Sequence, residues 1–183
     1  LRQFDPARWL EAIQKERITH AFLVPTMLKR VVDEPNARDC DLTSLEVLSY
    51  GAAATPPGVL LRALDLFPKT VGFVNAYGQT ETTATVAMLG PEDHRLDGTP
   101  EEVERKKARL RSIGKPLGDV ELRIVDDQHE TLPPGQIGEV AIRTARAMKG
   151  YLPQEGKPVD TARRDAEGWV YTSDLGWMDD DGY

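Results

Sequence analysis

The chain has 183 residues, 40% of them hydrophobic and 29% charged, which is enough apolar material for one core or two small ones in a soluble globular protein. Its net charge of -7 argues against nucleic acid or an anionic membrane as partner, because both are recognised through basic patches. A single cysteine, Cys40, excludes an internal disulfide, and no apolar run approaches the roughly 18 residues of a spanning helix, so the expected setting is cytoplasmic, with no transmembrane segment or secretory leader.

Taken in order, the first part alternates helix with strand. Asp5-Pro6 marks a helix start, a capping acceptor followed by proline at the first helical position, after which Trp9, Leu10 and Ile13 share a face. Residues 19–24 form a short apolar run, and Pro25 begins a second helical stretch carrying Met27, Leu28, Val31 and Val32. Residues 45–49 read as a buried strand, broken by Gly51-Ala52-Ala53-Ala54; Thr55-Pro56-Pro57 starts a helix that Pro68 stops. Residues 71–75 predict the next strand, with Tyr77-Gly78-Gln79-Thr80-Glu81 following its end. Strands alternating with helices imply a parallel sheet, whose ligands sit beyond the carboxyl ends of the strands.

Composition then shifts. Residues 91–111 are dense in charge and contain Thr99-Pro100-Glu101-Glu102, a capping box before an exposed helix; the stretch reads as a loosely held, solvated excursion. From Ile113 onward the pattern turns to strands: residues 120–125 alternate, Pro133-Pro134-Gly135 turns, and residues 137–143 alternate again. The expected division is an α/β portion over residues 1–111 and a β-rich portion over residues 112–183.

Tyr77 offers an aromatic face on which a base can stack, worth roughly 1–3 kcal/mol; a core tyrosine capping its strand is the plainer alternative. Gly78 would let the backbone turn tightly. Thr80 supplies a hydroxyl for a phosphate oxygen, or only a turn bond to its own backbone. Glu81 supplies a hard oxygen ligand for Mg²⁺, or only a solvated carboxylate. Farther along, Tyr171-Thr172-Ser173-Asp174 ends in a carboxylate able to accept from both hydroxyls of a ribose, or only in a turn aspartate. The histidines His20, His94 and His129 lack metal-ligand spacing, and Asp179-Asp180-Asp181-Gly182 reads as a solvated turn.

These strings resemble the superfamily of adenylate-forming (AMP-binding) enzymes: acyl-CoA synthetases, adenylation domains of nonribosomal peptide synthetases, and luciferases. Ser112-Ile113-Gly114-Lys115-Pro116, Leu132-Pro133-Pro134-Gly135-Gln136-Ile137-Gly138-Glu139 and Met148-Lys149-Gly150-Tyr151 extend the resemblance in order along the chain. It implies an α/β subdomain with a parallel sheet, followed by a mostly β, distorted-barrel subdomain, both from the large N-terminal domain of such enzymes. It implies that Tyr77 and Asp174 hold adenosine, that Gly51, Ala52 and Ala53 flank the nucleotide with Asn75, Ala76 and Gly78 nearby, that Thr80 meets phosphate, and that Glu81 ligates Mg²⁺. Ser173 occupies a place where the family carries glycine. The implied activity is ATP-dependent activation of a carboxylic acid, a fatty acid by preference, to an acyl-adenylate, followed by transfer to CoA. A peptide-synthetase adenylation domain is the alternative, and a non-catalytic nucleotide-binding or interaction module is the alternative of another class. The family's phosphate loop and catalytic lysine are expected outside these residues, so the chain reads as an internal piece that is inactive alone. Oligomeric state has no sequence signal.

Overall fold

The computed structural model describes residues 3–151 and 163–183. It divides into two units, Leu1–Ala76 with Leu89–Gly114, and Tyr77–Met88 with Lys115–Tyr183.

In the first unit, local sequence chemistry sets the helices. Asp5 accepts a hydrogen bond from Arg8 N at 2.9 Å and caps α1 (Pro6–Glu16), which starts on proline as expected. Proline also opens α2 (Pro25–Val32) and α3 (Pro57–Leu66). Strands β1 (His20–Leu23), β2 (Val47–Gly51) and the first part of β3 (Gly72–Gln79) pair in parallel, from His20 against Val47 and Val47 against Gly72 to Gly51 against Ala76. Leu10 and Ile13 of α1, Leu28 and Val31 of α2, and Leu60 and Ala63 of α3 bury one core with Leu48, Tyr50 and Phe73 of the sheet. At roughly 1.5–3 kcal/mol per large apolar side chain buried, this cluster is the main stabilising term of the unit.

The charged stretch is more structured than its composition suggests. It holds α4 (Pro91–His94) and α5 (Pro100–Arg109). The capping box forms as expected: Glu102 N donates to Thr99 Oγ1 at 3.3 Å, and Thr99 N donates to Glu102 Oε2 at 2.7 Å. Helix α5 buries no side chain, in keeping with a solvated element, yet His94 before it and Leu110 after it are both buried. His94 is held from both sides. Its Nδ1–H donates to Gly90 O at 2.7 Å, which leaves Nε2 to accept from Tyr50 O–H at 2.8 Å. The two rings meet edge to face.

The second unit is built on antiparallel pairing. Strand β4 (Ala84–Leu89) pairs with β5 (Lys115–Pro116) through Ala87–Pro116 and Met88–Lys115. Strands β6 (Val120–Val125), β7 (Gly138–Thr144) and β8 (Trp169–Gly176) form a three-stranded sheet with β7 in the middle. Val86, Val120, Ile124, Val140 and Ile142 share its core, with Tyr77, Leu122 and Leu132 packed against them. That packing explains why Tyr77–Met88, which sequence pattern groups with the first part, falls in the second unit. Trp169 meets two cations, with the guanidinium carbons of Arg123 and Arg143 3.9 Å and 4.8 Å from its ring centre. Among the described residues no helix is long and apolar enough to cross a membrane.

Burial pushes the His94 imidazole below its ordinary value, outweighing the Gly90 carbonyl and the Asp93 charge, which favour the cation. A folded-state value below the unfolded one means that this stability is whole above about pH 6.5 and is lost as pH falls below it. Urea unfolding midpoints should therefore drop between pH 7 and pH 5.5, and His94→Gln should flatten that slope. An equal slope in the variant would remove His94 as its source.

Candidate functional site

The Tyr77 motif does not follow its strand; it lies largely inside it. Strand β3 runs on through Tyr77 and Gly78 to Gln79, and only Thr80–Thr82 leaves it, as a short 3₁₀ turn. Gly78 explains the close backbone. A Cβ there would stand 1.6 Å from Ala84 O, so no other residue fits without moving the chain. Thr83 and Ala84 then take left-handed backbone, at φ 56° and 66°, to bring the chain round into β4. Thr80 is exposed on this turn and Glu81 is half-buried. The Tyr151 hydroxyl donates to Glu81 Oε1 at 2.7 Å, and this bond holds the Glu81 carboxyl below its usual range, so it is ionised at neutral pH.

Asp174 is presented by an irregularity in β8. Glu139 pairs with Leu175 and Ala141 with Tyr171, so Thr172, Ser173 and Asp174 all fall opposite Val140. This is a bulge with extra residues on β8, a device that re-aims side chains next to sites. Its pivot is Ser173, at φ 63°. The family's glycine at this place is thus accounted for: the position needs left-handed backbone, which serine adopts at a cost of about 1–2 kcal/mol. Three hydrogen bonds hold the bulge. Ser173 N donates to Glu139 Oε1 at 2.7 Å, and Asp174 N donates to Thr172 Oγ1 at 3.1 Å, while the buried Thr172 hydroxyl donates to Val140 O at 2.8 Å. Sequence pattern marks Glu139 only as a structural strand residue; its place beside the bulge emerges once β7 and β8 pair.

The structure brings Tyr77 and Asp174 together. The Tyr77 hydroxyl donates to Asp174 Oδ2 at 2.6 Å across 97 residues of sequence. Burial of the ring, reinforced by this bond to a carboxylate, raises the phenol well above its ordinary value, so it stays a donor at any physiological pH. Tyr77 is half-buried against the sheet core and Asp174 is exposed. An aromatic ring held at its edge and a carboxylate facing water are the parts needed for a base and a sugar diol.

In the first unit, Gly51 is buried, and a Cβ on it would lie 2.2 Å from Ala76 O. Ala52 beside it is left-handed, at φ 66°, and Ala52 and Ala53 are exposed. Backbone strain in an exposed small-residue loop is a common companion of ligand contact. Asn75 donates one amide N–H to Ser112 O at 3.0 Å, which fixes the orientation of its side chain.

A profile of AMP-binding enzymes matches residues 1–152. The chain is 33% identical over its whole length to the medium/long-chain-fatty-acid–CoA ligase FadD8 of Mycobacterium tuberculosis, of which it covers 29%. Among solved structures, the amide bond synthetase McbA of Marinactinospora thermotolerans matches with a TM-score of 0.84 and 35% identity, over 100% of this chain and 34% of that one. The o-succinylbenzoate coenzyme A synthetase of Bacillus subtilis, solved in complex with ATP and magnesium ion, matches with a TM-score of 0.76 and 26% identity, over 100% and 34%. The chain therefore spans about a third of the length of these relatives.

The bulge makes a stability prediction. Ser173→Gly removes the left-handed penalty but loosens the unfolded chain, so it should stabilise the protein by a net of about 0.5–1 kcal/mol. Gly78→Ala should cost about 3 kcal/mol or more, since its Cβ meets rigid backbone. Denaturant melts of both variants check this; a tolerated alanine at 78 would contradict the close approach.

Proposed function

This chain belongs to the AMP-binding enzyme family, and from that premise we propose that the protein carrying it activates a carboxylic acid with ATP and passes the acyl group to CoA. The observation that carries the reading is the hydrogen bond that sets the Tyr77 ring beside the bulge-borne Asp174 carboxylate. The relative named as a fatty-acid–CoA ligase supports a fatty acid as substrate and a thiol as acceptor.

Asp174 would accept from the two ribose hydroxyls, and the Tyr77 ring would stack on adenine with its orientation fixed at the hydroxyl. Thr80, exposed at the start of the turn, would donate to a phosphate oxygen.

Magnesium suits the donors present. It is commonly held by one or two carboxylates together with substrate phosphates, and Glu81 offers one ionised carboxylate, with no group of three His, Cys, Asp or Glu ligands among the described residues. Bound by Glu81, the ion would neutralise phosphate charge. The relative solved with ATP and magnesium supports magnesium as the ion.

The reaction balances in two steps. A carboxylate oxygen of the acid bonds to the α-phosphorus as the bond to the pyrophosphate oxygen breaks, giving the acyl-adenylate. The CoA sulfur then bonds to the acyl carbon as AMP departs with the electron pair, and the thiol proton goes to solvent. The residues above bind and orient; they take no part in proton transfer.

Asp174→Ala should weaken ATP and AMP binding at least about tenfold, because hydrogen bonds to a charged group are each worth roughly 1.5–3 kcal/mol. Calorimetry measures the affinity, circular dichroism checks the fold, and acid-dependent pyrophosphate exchange across a panel of carboxylic acids identifies the substrate. A folded variant with unchanged nucleotide affinity would remove Asp174 from the site, and absence of exchange with every acid in the wild type would contradict the activity.

A further inference from the structure

Arg146 belongs to none of the residues given a role above, yet it grips the turn that carries Thr80 and Glu81. Its Nε donates to Asp119 Oδ2 at 2.6 Å and its Nη2 to Asp119 Oδ1 at 3.2 Å, a two-pronged pairing that fixes the guanidinium plane. From that plane Nη1 donates to two backbone carbonyls of the turn, Thr83 O at 3.2 Å and Thr85 O at 3.1 Å. The turn answers in kind: Thr83 Oγ1 donates to Arg146 O at 2.6 Å. Beyond Arg146 the same segment reaches Glu81 itself, with Met148 N donating to its backbone oxygen at 2.8 Å and Tyr151 to its carboxylate at 2.7 Å.

What is gripped needs gripping. Thr83 and Ala84 are consecutive left-handed residues without a glycine between them, at φ 56° and 66°. Each costs about 1–2 kcal/mol, so such a turn persists only where surrounding contacts enforce it. Thr83 and Thr85, whose carbonyls Arg146 holds, bracket the strained Ala84 on both sides. A lysine could not substitute, since one ammonium lacks the planar fork that meets a carboxylate and two carbonyls together.

We infer that Arg146 is a positioning residue for Glu81. Anchored by Asp119, it fixes the turn at residues 80–85, so that the Glu81 carboxylate and the Thr80 hydroxyl face magnesium–triphosphate in one arrangement. The inference rests on the reading of Glu81 as the metal-side carboxylate. Arg146 is not itself a ligand; its effect reaches the metal only through the turn.

The test uses the whole protein and compares wild type with Arg146→Ala, Arg146→Lys and Asp119→Ala. AMP affinity is measured by calorimetry without metal, and ATP affinity is measured across a magnesium titration. Metal sites lose roughly 10- to 100-fold in affinity when the groups orienting a ligand are removed. Arg146→Ala should therefore raise the magnesium concentration needed for half-maximal ATP binding by about that factor while AMP affinity stays at the wild-type value, and Arg146→Lys should recover only part of the loss. Should Arg146→Ala fail to fold, Arg146→Lys and Asp119→Ala carry the same comparison. An unshifted magnesium requirement overturns the inference, and so does an equal loss of AMP and magnesium–ATP affinity, which would mark Arg146 as a staple of the fold. Wild-type ATP binding that ignores magnesium would instead bring down the reading of Glu81, and this inference with it.

Discussion

A phenol-to-carboxylate hydrogen bond between Tyr77 and Asp174 joins two segments that lie 97 residues apart in sequence. Asp174 would not stand where it does on a regular strand. Asp174 sits on a bulge whose pivot, Ser173, takes backbone that serine adopts only under constraint, and Glu139 supplies the constraint from the neighbouring strand. Being exposed, the bond contributes little to stability through screened water. Its consequence is positional: it sets the ring and the carboxylate in a fixed relation before any ligand arrives, which reduces the ordering that binding would otherwise cost.

The same economy governs the turn after Tyr77. Gly78 admits the Ala84 carbonyl at a distance no side chain permits, so β3 can run on almost to the turn itself. The chain must then reverse within a few residues, and it does so through left-handed Thr83 and Ala84. Thr80 and Glu81 are carried on the reversal, with Glu81 kept ionised by the Tyr151 hydroxyl. Strain here coincides with the residues to which chemistry is assigned, as sites commonly show.

Features written in adjacent residues were legible from sequence. The Asp5 cap, the Thr99–Glu102 box, the proline-started helices and the strands β6 and β7 all depend on neighbours within a few positions, and all formed, although Val140, Ala141 and Ile142 of β7 are buried in succession rather than alternately. The end of β3 escapes the sequence pattern because glycine in a strand reads as a break, whereas here it marks a close backbone approach. His94 looked like one of several scattered histidines; its burial depends on Tyr50, 44 residues earlier. The string around Tyr77 and the Asp174 carboxylate could be read as a pair, but the groups that hold them could not. Glu139 and Arg146 act through strand register and a turn carbonyl, which no local pattern encodes.

The proposed function depends on adenosine being held by the Tyr77 ring and the Asp174 carboxylate. An electron-density map of the whole protein with AMP bound tests it most directly. The adenine plane should stack on Tyr77, with both ribose hydroxyls about 2.7 Å from Asp174 carboxylate oxygens. Adenosine bound elsewhere, with the Asp174 carboxylate still holding the Tyr77 hydroxyl and no ribose, would contradict it.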